Sequence, residues 1–163
     1  MRHLLGIDLG TSGIKAAIFN PDGTLIGLGR AANRYVPGPT GWAEQDPKTW
    51  WAGCCEAVQM ALTHSGVKPD SVAAVGVCGF HHCPVFLDAD GLPVRPTIVT
   101  HDARLGESLA ELEHSGALED VVRISGSRVM TGHFPPIYQL VRAHDPQDLE
   151  QTRWILLAKD YLR

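Results

Sequence analysis

The apolar residues of the first thirty positions come in short runs separated by turn signals. Leu4, Leu5 and Ile7 make a brief apolar strand that ends at Asp8. Residues 10–13, Gly-Thr-Ser-Gly, form a turn, and residues 15–19, Lys-Ala-Ala-Ile-Phe, form a second strand. Residues 20–23, Asn-Pro-Asp-Gly, place Pro and Gly where a β-turn uses them. Residues 24–32 read as a third strand, weakened by Gly27 and Gly29. Three strands joined by loops this short predict an antiparallel meander.

A loop carrying Pro37, Gly38, Pro39 and Gly41 leads into the clearest helix. Asp46 suits its N-cap, Pro47 its first position and Gly66 its exit. Trp51, Cys54, Cys55, Val58 and Leu62 recur at helical spacing and predict its buried face. Residues 72–78 are an apolar, β-branched run, read as a buried strand that follows the helix and can pair parallel with an earlier one. Residues 85–87 and 92–94 flank Asp88-Ala89-Asp90-Gly91 as a hairpin, and residues 98–100 are a further short strand. Leu105, Leu109 and Leu112 mark a second helix ending near Gly116. A third spans residues 136–144 and is closed by Pro146. Residues 154–158 form a last strand, and residues 160–163 begin a helix, so the chain reads as cut. This order predicts an α/β fold, with a mixed sheet that contains the meander and is flanked by helices.

Composition narrows the function classes. The chain has 163 residues, the size of one ordinary domain, with 44% hydrophobic and 20% charged residues. The net charge of −4 gives no broad basic excess, so neither nucleic acid nor an anionic membrane surface is an expected partner. No apolar run approaches the roughly 18–20 residues of a membrane span. Asp8 ends the first apolar run too early for a secretory signal, and a cytoplasmic protein is the expectation. Cys54, Cys55, Cys78 and Cys83 form no C-x-x-C pair and are expected as reduced, mostly buried thiols.

Three segments can carry chemistry. In the first, residues 8–15, Asp8 leaves a strand and enters a turn of glycines and hydroxyls. Gly10 and Gly13 let backbone N–H groups approach an anion, Thr11 and Ser12 add donors, and Lys15 adds positive charge. A carboxylate beside such a cradle can hold Mg²⁺ directly or through water. The segment is not a G-x-x-x-x-G-K-S/T loop, and Gly27 and Gly29 supply only a fragment of G-x-G-x-x-G. An ordinary glycine-rich hairpin turn is the alternative. The second segment, Cys78-Gly79-Phe80-His81-His82-Cys83, follows the buried strand, where ligands collect in α/β folds. His81 and His82 are adjacent and point to opposite sides of an extended chain, which argues against one shared metal. Contact with a polar substrate and plain packing both remain open. In the third, Thr100-His101-Asp102-Ala103-Arg104, Asp102 and Arg104 can reach a polyhydroxylated ligand, pair with each other, or cap a helix.

Taken in order, these segments resemble the FGGY family of carbohydrate kinases, most of all its xylulokinase-like branch. Gly6-Ile7-Asp8-Leu9-Gly10-Thr11-Ser12-Gly13-Ile14-Lys15 is similar to the family's first phosphate motif. Gly41-Trp42-Ala43-Glu44-Gln45-Asp46-Pro47-Lys48-Thr49-Trp50-Trp51 is similar to its G-W-x-E-Q-D-P-x-x-W-W stretch. Val94-Arg95-Pro96-Thr97-Ile98 precedes the place of its W-x-D-x-R segment, and residues 154–163 resemble the stretch ahead of its L-T-G.

The resemblance implies a ribonuclease-H-like, actin-like fold and transfer of the ATP γ-phosphoryl group to a hydroxyl of a ketopentose or related sugar or polyol. It implies that Asp8 serves Mg²⁺ and that Gly10, Thr11, Ser12, Gly13 and Lys15 face the ATP phosphates. It places His81, His82 and Asp102 among the substrate contacts. Phe80 stands where the family usually has Gln, Thr100 where it usually has a sugar-facing Trp, and residues 124–136 match loosely. Family members are longer and close two domains around a cleft. Residues 1–163 then correspond to the N-terminal, sugar-binding side, with the general base and the nucleotide-binding domain beyond Arg163. The chain alone is expected not to turn over. Apolar surface around residues 154–157 is expected to be exposed and to favour a homodimer. A non-catalytic sugar-binding or regulatory remnant is the competing reading. A chaperone-type ATPase of the same superfamily is a third, but it leaves the Glu44-Gln45-Asp46-Pro47 stretch unexplained.

Overall fold

The structure, a computed structural model, describes residues 2–163. In chain order its elements begin with β1 (His3–Leu9), β2 (Gly13–Phe19), β3 (Leu25–Ala32), β4 (Glu44–Gln45) and α1 (Pro47–Ser65). A 3-10 turn (Pro69–Ser71) leads to β5 (Val72–Gly79), β6 (Pro84–Leu87) and β7 (Thr97–Ile98). The rest comprises α2 (Leu105–His114), α3 (Ala117–Ser125), α4 (Phe134–His144), α5 (Pro146–Gln151), β8 (Trp154–Leu157) and α6 (Ala158–Leu162). The described residues divide into two compact units: residues 2–34, 47–81 and 158–163 form one, residues 35–46 and 82–157 the other.

The first unit is built on a four-stranded sheet of order β3-β2-β1-β5. β1, β2 and β3 are the expected antiparallel meander, and β5 joins β1 in parallel as expected, but it is an edge strand with no buried residue, not the buried strand that its apolar run predicts. Alternation sets the faces: Leu5, Ile7 and Leu9 of β1 and Ile14, Ala16 and Ile18 of β2 are buried. On β3 the matching positions shrink to Gly27, Gly29 and Ala31. A Cβ at Gly29 would collide with the backbone carbonyl of Ala57 on α1, and one at Gly27 with that of Ala61. The glycines that weaken the strand in sequence terms therefore let the helix backbone lie directly on it.

That approach turns α1. Its buried stripe is Trp50, Cys54, Ala57 and Ala61, whereas Trp51 is 59% exposed and Cys55 is exposed. The buried face is rotated from the predicted one, because the sequence spacing favours the bulky residues and the bare β3 backbone admits only small ones. Trp51, Cys55 and Val58 instead line an apolar groove of about 540 Å³ with Leu5, Val75 and Leu162. Pro47 and Gly66 bound α1 as predicted. Pro47 opens it, and Gly66, at φ +68°, closes it with its N–H donating to the Leu62 carbonyl at 3.0 Å.

The second unit gathers short pairings around helices. β4 pairs with β7 and β6 with β8, all antiparallel. Phe86, Ile98, Leu105, Ile137, Leu140 and Val141 form its apolar core. The hairpin at residues 85–94 is present in its turn: the Asp88 N–H donates to the Leu92 carbonyl and the Val94 N–H to the Phe86 carbonyl, both at 2.9 Å. Its second arm is reduced to the single bridge Leu87 to Pro93, and β8 pairs along the other edge of β6, where the Arg153 N–H donates to the Leu87 carbonyl at 2.7 Å. The strand expected at residues 98–100 is Thr97–Ile98, paired with β4. The strand at residues 154–158 stops at Leu157, and Ala158 already opens α6. Two helices lie outside the sequence expectation. α3 has no fully buried residue, only Leu118 and Val121 being half-buried, and α5 starts at Pro146, directly after α4.

Candidate active site

The first unit carries the proposed phosphate segment. Register places Asp8 between Lys15 on β2 and Cys78 on β5. Side chains alternate along β1, so the Asp8 carboxylate lies on the sheet face opposite the buried row Leu5, Ile7 and Leu9. Lys15 Nζ sits 3.4 Å from Asp8 Oδ2, and the Cys78 thiol donates to Asp8 Oδ1 at 3.5 Å. Both charged side chains are about half exposed, 52% for Lys15 and 44% for Asp8, so the pair contributes little to stability. The Cys78 thiol is held above its ordinary pKa, first by desolvation and then by the adjacent carboxylate.

The turn from Gly10 to Gly13 is closed on itself. The Gly10 N–H donates to the Gly13 carbonyl at 3.0 Å, and the Gly13 N–H to the Gly10 carbonyl at 3.3 Å. Asn33 fastens it from β3's end: its side-chain amide donates to the Gly10 carbonyl at 2.7 Å and its N–H to the Ser12 carbonyl at 3.3 Å. Gly13 must be glycine for a packing reason, since a Cβ there would lie 2.6 Å from the Ala31 carbonyl oxygen. Thr11 and Ser12 form the tip, and Ser12 is exposed. Asn33 is absent from the sequence reading of the site, because no local motif marks it.

Phe80 and His81 end the first unit. The Phe80 N–H donates to the Leu9 carbonyl at 2.9 Å, and its ring meets buried Trp50 edge-on at 5.4 Å. His81 is exposed.

His82 opens the second unit in the left-handed region, at φ 60°. Among the described residues it alone, apart from glycines, has positive φ. Such a conformation persists only where surrounding contacts impose it. Its ring stacks on His133 with centroids 4.2 Å apart and planes 25° from parallel. Gly132 presses on Thr100, so closely that a Cβ would stand 2.8 Å from both Thr100 Cβ and its carbonyl oxygen. The turn ahead of α4 is thus fixed to the end of the β7 segment and supplies the platform under His82.

Asp102 lies in the same unit but presents nothing outward: its side chain is 0% exposed. Oδ2 accepts from the Ala43 N–H and from Arg104 Nη2, both at 2.7 Å. Oδ1 accepts from the Arg104 N–H at 3.0 Å and from Arg104 Nε at 2.9 Å. Burial alone would raise its pKa, but these hydrogen bonds outweigh burial and hold the carboxyl below the usual value. Of the roles open to the Asp102–Arg104 pair, mutual pairing is the one present in the structure, and α2 begins at Leu105 without a side-chain cap from Asp102. Arg104 also binds Glu44 at 2.7 Å and lies 3.7 Å above the Trp42 ring. Glu44 in turn meets Arg95, which is 7% exposed and also reaches Asp145 and Asp148. Asp102 is therefore the buried end of an ion network that holds residues 41–44 against α2 and α4–α5.

Comparison with known proteins places this geometry. The model of the FGGY family of carbohydrate kinases, N-terminal domain, matches residues 3–163. The chain belongs to this family. The probable L-xylulose kinase of Haemophilus influenzae is 31% identical over 163 residues, covering 100% of this chain and 34% of that protein. The xylulose kinase of Escherichia coli strain K12 is 33% identical over 160 residues, covering 98% and 32%. Among solved structures, a xyloylose kinase from Brucella ovis superposes with a TM-score of 0.89 at 30% identity, covering 99% of this chain and 34% of its own. The chain spans about a third of the length of the curated relatives it matches. The mixed sheet with its antiparallel meander is accordingly the actin-like fold of FGGY kinases. Among the described residues no helix is long and apolar enough to cross a membrane.

Proposed function

We propose that this FGGY chain is the sugar-side part of an ATP-dependent carbohydrate kinase that phosphorylates a hydroxyl of a ketopentose or a related sugar or polyol. The match over residues 3–163, with relatives named as xylulose kinases, carries the reading. In it, Gly10, Thr11, Ser12, Gly13 and Lys15 face the ATP phosphates. The turn is closed by its own backbone bonds and by Asn33; the Gly10 and Gly13 N–H groups are spent inside it, so Gly10 and Gly13 would shape the turn while the exposed Ser12 and the Lys15 ammonium meet phosphate charge from a fixed scaffold.

Asp8 would hold Mg²⁺. One half-exposed carboxylate suits a cation that keeps several waters and takes its other ligands from substrate phosphates, and the neighbouring thiol is too soft a donor to compete for it. Bound there, the ion would neutralise phosphate charge. Lys15, paired with Asp8 at 3.4 Å, is the cation that would turn from the carboxylate to a phosphate oxygen. His81 and His82 are assigned to sugar hydroxyls. Asp102, with both oxygens engaged by Ala43 and Arg104 and no exposed side-chain surface, is assigned to holding residues 41–44 in place instead of to a sugar contact.

Phosphoryl transfer needs a base and positioning from both sides of a cleft. The 163 residues alone are therefore expected to be inactive. The competing reading, a sugar-binding remnant without catalysis, draws on Phe80, whose ring serves the Trp50 core contact where the family usually has Gln. Self-association belongs to the reading of this chain, since Trp154, Ile155 and Leu157 of β8 are 55%, 40% and 39% exposed. The deciding experiment is ADP release by the full-length protein with Mg-ATP and a panel of pentuloses, hexuloses and polyols. Turnover with a ketopentose supports the kinase. Sugar binding in a thermal-shift panel without turnover supports the remnant, and a shift with Mg-ATP alone would overturn both.

A further inference from the structure

The His82–His133 stack is not explained by the phosphate segment, the ion network or the core. Its two rings come from distant parts of the chain. Backbone geometry brings each to its place. His82 sits in the left-handed region at φ 60°. His133 sits immediately before α4, with extended backbone at φ −82° and ψ 166°, and its N–H donates to the Met130 carbonyl at 3.0 Å. Gly132 locks the same turn onto Thr100. Two backbone constraints thus bring two imidazole faces to 4.2 Å, 25° from parallel.

A stacked partner takes one face of the His82 ring and limits rotation about χ2, which is otherwise broad for histidine. The edge that carries the ring nitrogens keeps its direction. That is the requirement for selecting among sugar hydroxyls, where specificity comes from donors and acceptors fixed before the ligand arrives.

We propose that His133 is a positioning residue for sugar recognition: its ring orients His82 toward the substrate. The inference rests on the sugar-facing assignment of His82. His133 needs only its flat aromatic face for this role, so phenylalanine replaces it and alanine does not. Aromatic stacking of this kind accounts for about a threefold to tenfold change in affinity.

The test uses the full-length protein with D- and L-xylulose as probes and compares the parent with His133→Ala and His133→Phe. His133→Ala is expected to raise KM about threefold to tenfold with a smaller change in kcat, and His133→Phe to restore KM. Proton NMR of histidine-labelled protein gives a readout independent of sugar: the ring-current displacement of the His82 carbon-bound protons disappears in His133→Ala and survives in His133→Phe. An active parent whose KM is unmoved by His133→Ala overturns the proposal alone. A lowered melting temperature in both variants, with KM raised equally in both, also overturns it and makes His133 a packing residue. A parent that neither binds nor turns over any of the pentuloses, hexuloses and polyols while the NMR signature is intact overturns the sugar assignment beneath it, and the proposal with it.

Discussion

Removing the Asp102 carboxylate separates a ligand contact from a buried support. In Asp102→Ala the Ala43 N–H loses its acceptor and the Arg104 guanidinium loses two charged hydrogen bonds, with Glu44 and Trp42 left as its partners. The carboxylate is wholly buried, so solvent does not screen the loss. Breaking a buried, hydrogen-bonded ion pair from one side costs about 3–5 kcal/mol. For a chain of this length that is roughly 6–20 °C in melting temperature. Denaturant and thermal unfolding of parent and variant measure it, with a cycle through Arg104→Ala to isolate the pair. The acid limb gives a second check. The folded carboxyl has a lowered pKa, so its contribution is complete above the unfolded value of about 3.9 and is lost as pH falls through the folded value. Asp102→Ala removes that part of the acid dependence. The reasoning is refuted if Asp102→Ala stays within about 1 kcal/mol of the parent while sugar affinity collapses, which would make Asp102 a ligand contact.

Gly29→Ala forces a methyl group into the α1 backbone and is expected to cost about 1–3 kcal/mol, whereas Gly76→Ala on β5, with open space around it, is neutral or slightly stabilising; paired melts compare them. Asp148 has its pKa raised, first by burial and further by Asp145 and Glu44, against the pull of Arg95. A raised carboxyl favours the fold at acid pH and loses that contribution as pH climbs through the folded value. Asp148→Asn should therefore gain on the parent from acid to neutral pH, and a widening deficit would contradict the sign. Against the expectation of mostly buried thiols, Cys55 and Cys78 are exposed, and with an aromatic disulfide reagent Cys55 reacts first and Cys78 more slowly, its pKa being raised by desolvation and by Asp8. Cys54 and Cys83 are protected, Cys83 having its pKa pushed up to about 12 by burial. Equal labelling of all four thiols would mean that the first unit and the Cys83 site open readily.

The meander and the boundaries of α1 were legible because their signals are local: Asn20 to Gly23 makes the turn, Pro47 opens the helix and Gly66 closes it. The face α1 buries was not legible. It depends on Gly27 and Gly29 meeting helix carbonyls, and a strand read alone shows those glycines only as weakness. The β6–β8 pairing and the two-residue β4–β7 pairing join distant segments, so the local patterns showed the hairpin at residues 85–94 but not which strands pair with β6 and β7. α3 lacks a buried stripe and its ends are marked only by Gly116 and Gly126, both at positive φ. In the candidate site, Asp8 and Lys15 could be paired from the meander's register. The Ala43 contact that buries Asp102 and the His133 ring under His82 exist only once residues far apart in the chain are folded together.

In the proposed kinase, residues 8–15 serve phosphoryl transfer, and His81 and His82 serve sugar. Asp8→Asn in the full-length protein tests this claim most directly, with ADP-release kinetics and sugar affinity measured side by side. The exchange keeps size and leaves the hairpin bonds at Gly10 and Gly13 in place. Turnover falling by at least about a hundredfold, with sugar affinity nearly unchanged, is the expected result. Equal loss of turnover and sugar affinity, together with a lower melting temperature, would make Asp8 a residue of the fold and contradict the claim.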